Sequence, residues 1–199
     1  MKLATLALAI GLASPAFAAS PAISVDFEKT WNYGESIGNF YAAQGVSFVN
    51  VLGLSNGDGL GPLANGDYYG GAPSPLGVAY AQLDGTINTA AYMNVAGGVD
   101  GQLNFYFSNP TGASVEIKAY SGLNGTGTLL GSVLLASNGI DYTTWTATSL
   151  TFTGTALSFD LTATAAGVAL DNISAVPEPS SLALLLGGAT LLLARRRRG

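Results

Sequence analysis

Leu103-Asn104-Phe105-Tyr106-Phe107 sets large apolar residues at every second position, and that spacing decides the fold. A period of two places alternate side chains on opposite faces of a strand. Ile23-Ser24-Val25-Asp26-Phe27 and Val46-Ser47-Phe48-Val49-Asn50-Val51 repeat the pattern. Further strands are expected over 76–83, 86–95, 115–120, 128–135, 143–152, 156–162 and 167–173. No helical periodicity of any length occurs between Pro21 and Ala175. Turn formers punctuate the strands at Asp84-Gly85, Asn109-Pro110-Thr111-Gly112, Asn124-Gly125-Thr126-Gly127 and Asn138-Gly139. Short strands at this spacing predict an all-β fold, a single jelly-roll-like β-sandwich. The stretch 53–75 is rich in Gly, Asn, Asp and Pro and reads as a long surface loop.

Charge narrows the function. Eleven of the twelve acidic residues fall between Asp26 and Asp171, against Lys29 and Lys118 alone among the bases. So acidic a domain lacks the basic stripe that phosphate backbones require, which argues against nucleic acid. There is no cysteine and no histidine, so the usual Ser-His and Cys-His nucleophile pairs are absent. No phosphate-binding glycine loop or dinucleotide fingerprint occurs.

The two ends differ from the middle. Met1-Lys2 precedes an apolar run, Pro15 breaks it, and Ala16-Phe17-Ala18 offers small residues around a cleavage point. Residues 1–18 therefore read as a signal peptide, helical in its apolar part. At the other end stands Val176-Pro177-Glu178-Pro179, then an apolar segment, then Arg195, Arg196, Arg197 and Arg198. The two prolines fix φ and lack an N–H, so the box stays extended and accessible. A transmembrane helix is expected over 180–194, capped by Ser180 or Ser181. Its apolar run of thirteen residues, 182–194, spans about 20 Å, short of a hydrocarbon core of about 30 Å. The arginines would snorkel to the interface and set the orientation, with the basic end in the cytoplasm.

Box, apolar helix and basic stop, in that order over 176–198, resemble the PEP-CTERM sorting signal of Gram-negative bacteria. The same tail is also labelled an ice-binding-protein C-terminal domain. The resemblance implies a membrane protease partner, exosortase, that cleaves near Pro177-Glu178-Pro179, and a final location at the cell surface or outside the cell. Val25-Asp26-Phe27-Glu28, Gly45-Val46-Ser47-Phe48, residues 120–127 and Ala169-Leu170-Asp171-Asn172-Ile173 further resemble the lectin-like sandwiches common in such proteins. The domain plan is then 1–18 signal peptide, 19–175 β-sandwich and 176–199 sorting signal.

In carbohydrate-binding jelly rolls the first and last strands often lie side by side, and a carboxylate after the first and an aspartate in the last can then share one structural calcium ion. The matching positions here are Glu28 and Asp171, with Asp26 as a spare, and calcium takes such hard oxygen ligands. The plain alternative is two solvated acids at strand ends, or an Asp171 hydrogen-bonded to a turn. Asn56, Asp58, Asn65 and Asp67 lack the full spacing of a calcium loop and read as turn formers. For glycan stacking, Tyr68 and Tyr69 on the long loop are the chosen candidates, with Trp31, Tyr33 and Tyr142 also available. Trp145, Phe152 and Phe159 read as core. Thr144, Thr146 and Thr148, then Thr151, Thr153 and Thr155, keep a strand period and read as ordinary exposed strand residues rather than an ice-binding face.

The sequence thus predicts an exported, non-enzymatic surface or matrix protein associated with exopolysaccharide or biofilm. Signal peptidase and exosortase process it, and the C-terminal helix holds it transiently in the inner membrane. The alternatives are a calcium-supported carbohydrate-binding module and, below it, a glycosidase-like enzyme working through paired carboxylates.

Overall fold

A computed structural model describes residues 22–32, 34–55, 69–81 and 90–175. The segments expected as signal peptide, sorting box, transmembrane helix and basic stop all lie outside the described residues. Among the described residues no helix is long and apolar enough to cross a membrane.

The described chain is all-β and antiparallel. Its strands are β1 (Ile23–Val25), β2 (Val46–Val49), β3 (Val51–Leu54), β4 (Val78–Ala81), β5 (Tyr92–Ser108), β6 (Val115–Tyr120), β7 (Leu129–Leu135), β8 (Thr146–Asp160) and β9 (Ala169–Ala175). They form one hydrogen-bonded network in the order β3-β4-β9-β5-β8-β6-β7, with β1 added to β9 and β2 to β5. The first and last strands do lie side by side, in the register Ile23 to Ala175 and Val25 to Ile173.

A sandwich implies two separate sheets, whereas here the hydrogen bonds run through continuously. The cause is the length of β5 and β8, 17 and 15 residues. Of the segments 86–95 and 103–107, expected as two strands, residues 92–95 and 103–107 are both in β5, and of 143–152 and 156–162, residues 146–152 and 156–160 are merged in β8. The two long strands pair along most of their length, but the register jumps between Asn94 and Val99 and again between Asp100 and Gln102. Extra residues of this kind bend and twist a ladder without ending it. One arm of β5, 92–95, then pairs with β2, while the other, 104–108, pairs with β9. The expected strand 46–51 is cut in the opposite sense. Asn50 takes φ 52° and donates its side-chain amide to Ala90 O at 2.7 Å. That left-handed residue sends β2 to β5 and β3 to β4.

Transverse rows show how the core fills. Phe48, Met93, Phe159 and Ala119 are consecutive partners across β2, β5, β8 and β6, and all are buried. The row ends at Gly131 on β7. A Cβ there would sit 2.9 Å from Phe152 Cβ, so Phe152 takes the space from the other arm of β8. In the second arm Gly53, Ala79, Leu170 and Phe107 form an equivalent buried row. Trp31 covers its glycine: a Cβ on Gly53 would lie 2.0 Å from Trp31 Cδ2. Each large side chain removed from water in this way contributes about 1.5–3 kcal/mol.

Candidate functional site

The acidic cluster is built where the first and last strands meet. Beyond β1, Phe27 turns through φ 55°, and its carbonyl accepts from Lys29 N at 2.7 Å and from Trp31 Nε1 at 2.9 Å. A bulky residue at positive φ is uncommon and needs such support. The turn brings Asp26 and Glu28 beside β9, where Asp171 is fully buried on the side away from Leu170. The segment before β4 closes over it. Ser74 N donates to Asp171 Oδ2 at 2.8 Å, Asn172 N donates to Oδ1 at 2.7 Å, and Ser74 Oγ lies 2.6 Å from Oδ1. Ser74 Oγ also lies 2.7 Å from Asp26 O. Leu76 N donates to Glu28 Oε1 at 2.8 Å. Tyr41 Oη donates to Asp26 Oδ1 at 3.1 Å.

The structure therefore brings Glu28, Asp171 and Asp26 into one neighbourhood. Burial raises the Asp171 carboxyl above its ordinary value against the pull of the Ser74 and Asn172 donors, and Glu28 adds to the rise. Tyr41 is raised as well, by burial first and then by Asp26. Amide N–H groups, however, point at both Asp171 oxygens and at Glu28. A calcium ion at this spot would have to share these oxygens with the N–H donors that already use one lone pair on each. Among the described residues no group of three or more acidic, His or Cys side chains could hold a metal ion. The geometry makes Asp171 a clasp for the segment 74–76.

The aromatic candidates divide. Tyr68 and Tyr33 lie outside the described residues, as do Asn56, Asp58, Asn65 and Asp67. Tyr69 is only 4 % exposed, which corrects its assignment as an open stacking surface. Its ring meets Trp145 edge to face at 6.2 Å, in a small apolar cluster with Val78 and Ala169 on the outer side of β4 and β9. Trp145 is pinned by donating Nε1 to Gly70 O at 3.0 Å. Tyr142 joins the same cluster against Tyr80 and donates its hydroxyl to Gly167 O at 2.9 Å. Trp31, 1 % exposed, is core, with Lys29 over its ring and Phe40 edge to face against it. Lys29 is held there by an ion pair with Glu35, whose carboxyl is lowered by the Asn32 N–H and by Lys29.

A second constellation was not among the sequence candidates. On the outward face of the arm formed by β2, β5, β8, β6 and β7, Val49, Tyr92, Asp160, Lys118 and Ser132 are consecutive cross-strand partners. Tyr120 lies in the next row, opposite Ser158. A turn at 121–127 folds against this face. Asn94 Nδ2 donates to Asn124 Oδ1 at 2.7 Å, and Asn124 N returns a bond to Asn94 Oδ1 at 2.8 Å. Gly125 N donates to Ser158 Oγ at 2.9 Å. Lys118 pairs with Glu116 at 3.3 Å. The alternation Glu116, Lys118, Tyr120 within β6 was a visible signal. The pairing with Tyr92 and Asp160 was not, because it joins distant segments.

No family model matches the sequence, and no curated protein matches it. Among solved structures the chain is similar to the K2 cleaved adhesin domain of Lys-gingipain, at 15 % identity and TM-score 0.45, covering 78 % of this chain and 99 % of that one. A likeness at that level carries no inference about activity.

Proposed function

We propose that the protein is exported, non-enzymatic, and sorted to the cell surface or extracellular matrix through its C-terminal tail. The observation that carries this reading is the sequence of the tail, in this order: Val176-Pro177-Glu178-Pro179, the apolar run 182–194 and the four arginines 195–198. The tail follows directly on β9, which ends at Ala175, and Ala175 is the cross-strand partner of Ile23. The signal peptide and the tail thus flank a domain whose first and last strands are paired to each other. Removal of both would leave those paired strands intact. Exosortase is the processing partner on this reading, and the inner membrane is a transient station. On the same reading the two arms of the single sheet fold over a shared core in the manner of a jelly-roll-like sandwich. The clustered carboxylates Asp26, Glu28 and Asp171 serve hydrogen bonds that hold the fold, which favours a binding or structural role over the glycosidase alternative.

The test is fractionation of the native host with and without its exosortase. The reading expects surface or medium localisation in the first and retention in the inner membrane in the second. Identical distribution in both would reject exosortase sorting.

A further inference from the structure

We propose that the outward face around Tyr92 and Asp160 is a binding platform for a neutral oligosaccharide, with Tyr92 and Tyr120 as stacking rings and Asp160, Lys118 and Asn124 as hydroxyl-binding groups. Sorting could fail as a reading and leave this one standing, because it rests on the folded arm alone.

The register supplies the geometry. Tyr92, Asp160 and Lys118 sit on three adjacent strands in one row, so the row spans about 10 Å from tyrosine to lysine. That is the scale of a disaccharide. Tyr120 stands two positions beyond Lys118 on the same face of β6. Tyrosine combines an apolar ring with a polar tip, and orders at low entropic cost. Neither the Tyr92 nor the Tyr120 hydroxyl hydrogen-bonds to a described residue. Both stay available to a ligand.

The polar groups are held and partly unused. Asp160 Oδ1 accepts from Thr162 N at 2.9 Å, which orients the carboxylate, while Oδ2 has no donor among the described residues. Asn124 is fixed by its reciprocal bonds with Asn94, yet its Nδ2 donates to no described residue. Gly125 braces Tyr92: a Cβ at 125 would lie 2.7 Å from Tyr92 Cε1, so the turn approaches the ring as closely as only glycine allows. A platform whose parts are already ordered loses little entropy on binding.

Charge selects the ligand. Lys118 is balanced by Glu116 and faces Asp160, within a domain that is acidic throughout. A polyanion is repelled, and a lone lysine cannot hold it. A neutral sugar uses flat rings and a few oriented polar groups, which is what this face offers.

The experiment uses the full chain, 15N-labelled, in a sugar-free detergent, titrated separately with cellohexaose, laminarihexaose and maltohexaose. At least one should move the amides of residues 92–94, 118–125 and 158–160 saturably. Tyr120→Ala and Asp160→Asn should each weaken that binding at least tenfold with the rest of the spectrum unchanged. Tyr92→Ala should do the same, and if its spectrum collapses the other two variants decide. No saturable response to any of the three sugars, or full-strength binding by the variants, would overturn the assignment. Shifts on this face that follow protein concentration instead of sugar would mark contact between copies and also overturn it.

Discussion

Ser74 closes on Asp171 through two of its own atoms, its backbone N at 2.8 Å from Oδ2 and its hydroxyl oxygen at 2.6 Å from Oδ1. The same hydroxyl lies 2.7 Å from Asp26 O. Ser74 Oγ thus has both Asp171 Oδ1 and Asp26 O within donating distance. Loop, first strand and last strand are then joined through one buried acid.

A pH dependence follows from that acid. Its carboxyl is raised above the ordinary value of 3.8, chiefly by burial. Between the ordinary and the raised value the folded state binds more protons than the unfolded one, so stability falls as pH rises through that window. The contribution is complete below it. Denaturant midpoints measured from pH 3 upward should show this slope, and Asp171→Asn should remove it. Asp171→Ala should cost about 2–4 kcal/mol, because it strands the N–H groups of Ser74 and Asn172.

Calcium should leave the domain unmoved. The N–H donors of Ser74, Asn172 and Leu76 already take a lone pair on three of the four carboxylate oxygens of Asp171 and Glu28. Thermal melts with millimolar calcium and with chelator should coincide. A rise in Tm with calcium would show that the ion displaces these donors.

Two glycines should separate by mechanism. Gly53→Ala drives a Cβ to 2.0 Å from the Trp31 indole, which is itself tied to Phe27 O. A ring so held cannot yield, so the cost should reach about 3 kcal/mol. Gly112 has nothing within 4 Å of its added Cβ and only a φ of +73°. Gly112→Ala should cost about 1–2 kcal/mol, the strain of a left-handed residue. Urea unfolding of both variants reads the difference.

Tyr69→Ala tests the reassignment of that residue. A ring buried against Trp145 should cost about 3–5 kcal/mol when removed. Sugar binding measured on the folded fraction should be unchanged. Normal stability with lost sugar binding would return Tyr69 to the ligand site.

Asn50 should be sensitive to its backbone more than to its side chain. Asn50→Gly keeps the left-handed conformation and loses only the bond to Ala90 O, at about 1 kcal/mol. Asn50→Val adds the strain of a β-branched residue at positive φ and should cost clearly more. Denaturant midpoints of the pair give the order.

Most strands were legible because Leu103, Phe105 and Phe107, or Val115, Ile117 and Ala119, alternate along a single segment. Strand continuity was not legible. The bulges at 95–98 and near 101 leave the alternation broken while the ladder goes on, so β5 looked like two strands. The pairing of the first and last strands came from resemblance to jelly rolls, and the register Ile23 to Ala175 agrees with it. Asp171 was singled out as a cation ligand because a carboxylate in a last strand reads the same whether it faces a metal or an amide. The approach of Ser74, 97 residues earlier, is a contact that no local pattern announces. Tyr69 looked exposed because its neighbours are turn residues, yet Trp145 lies over it. The row Tyr92, Asp160, Lys118 draws on three strands far apart in the chain, and no local pattern announces it.

The most direct test of sorting through the tail is the intact mass of the protein recovered from the surface or medium of its native host. The account predicts a species that begins after Ala18 and ends within or next to Val176-Pro177-Glu178-Pro179, without the apolar run and the arginines. A recovered protein that still carries Arg195 to Arg198 would contradict it.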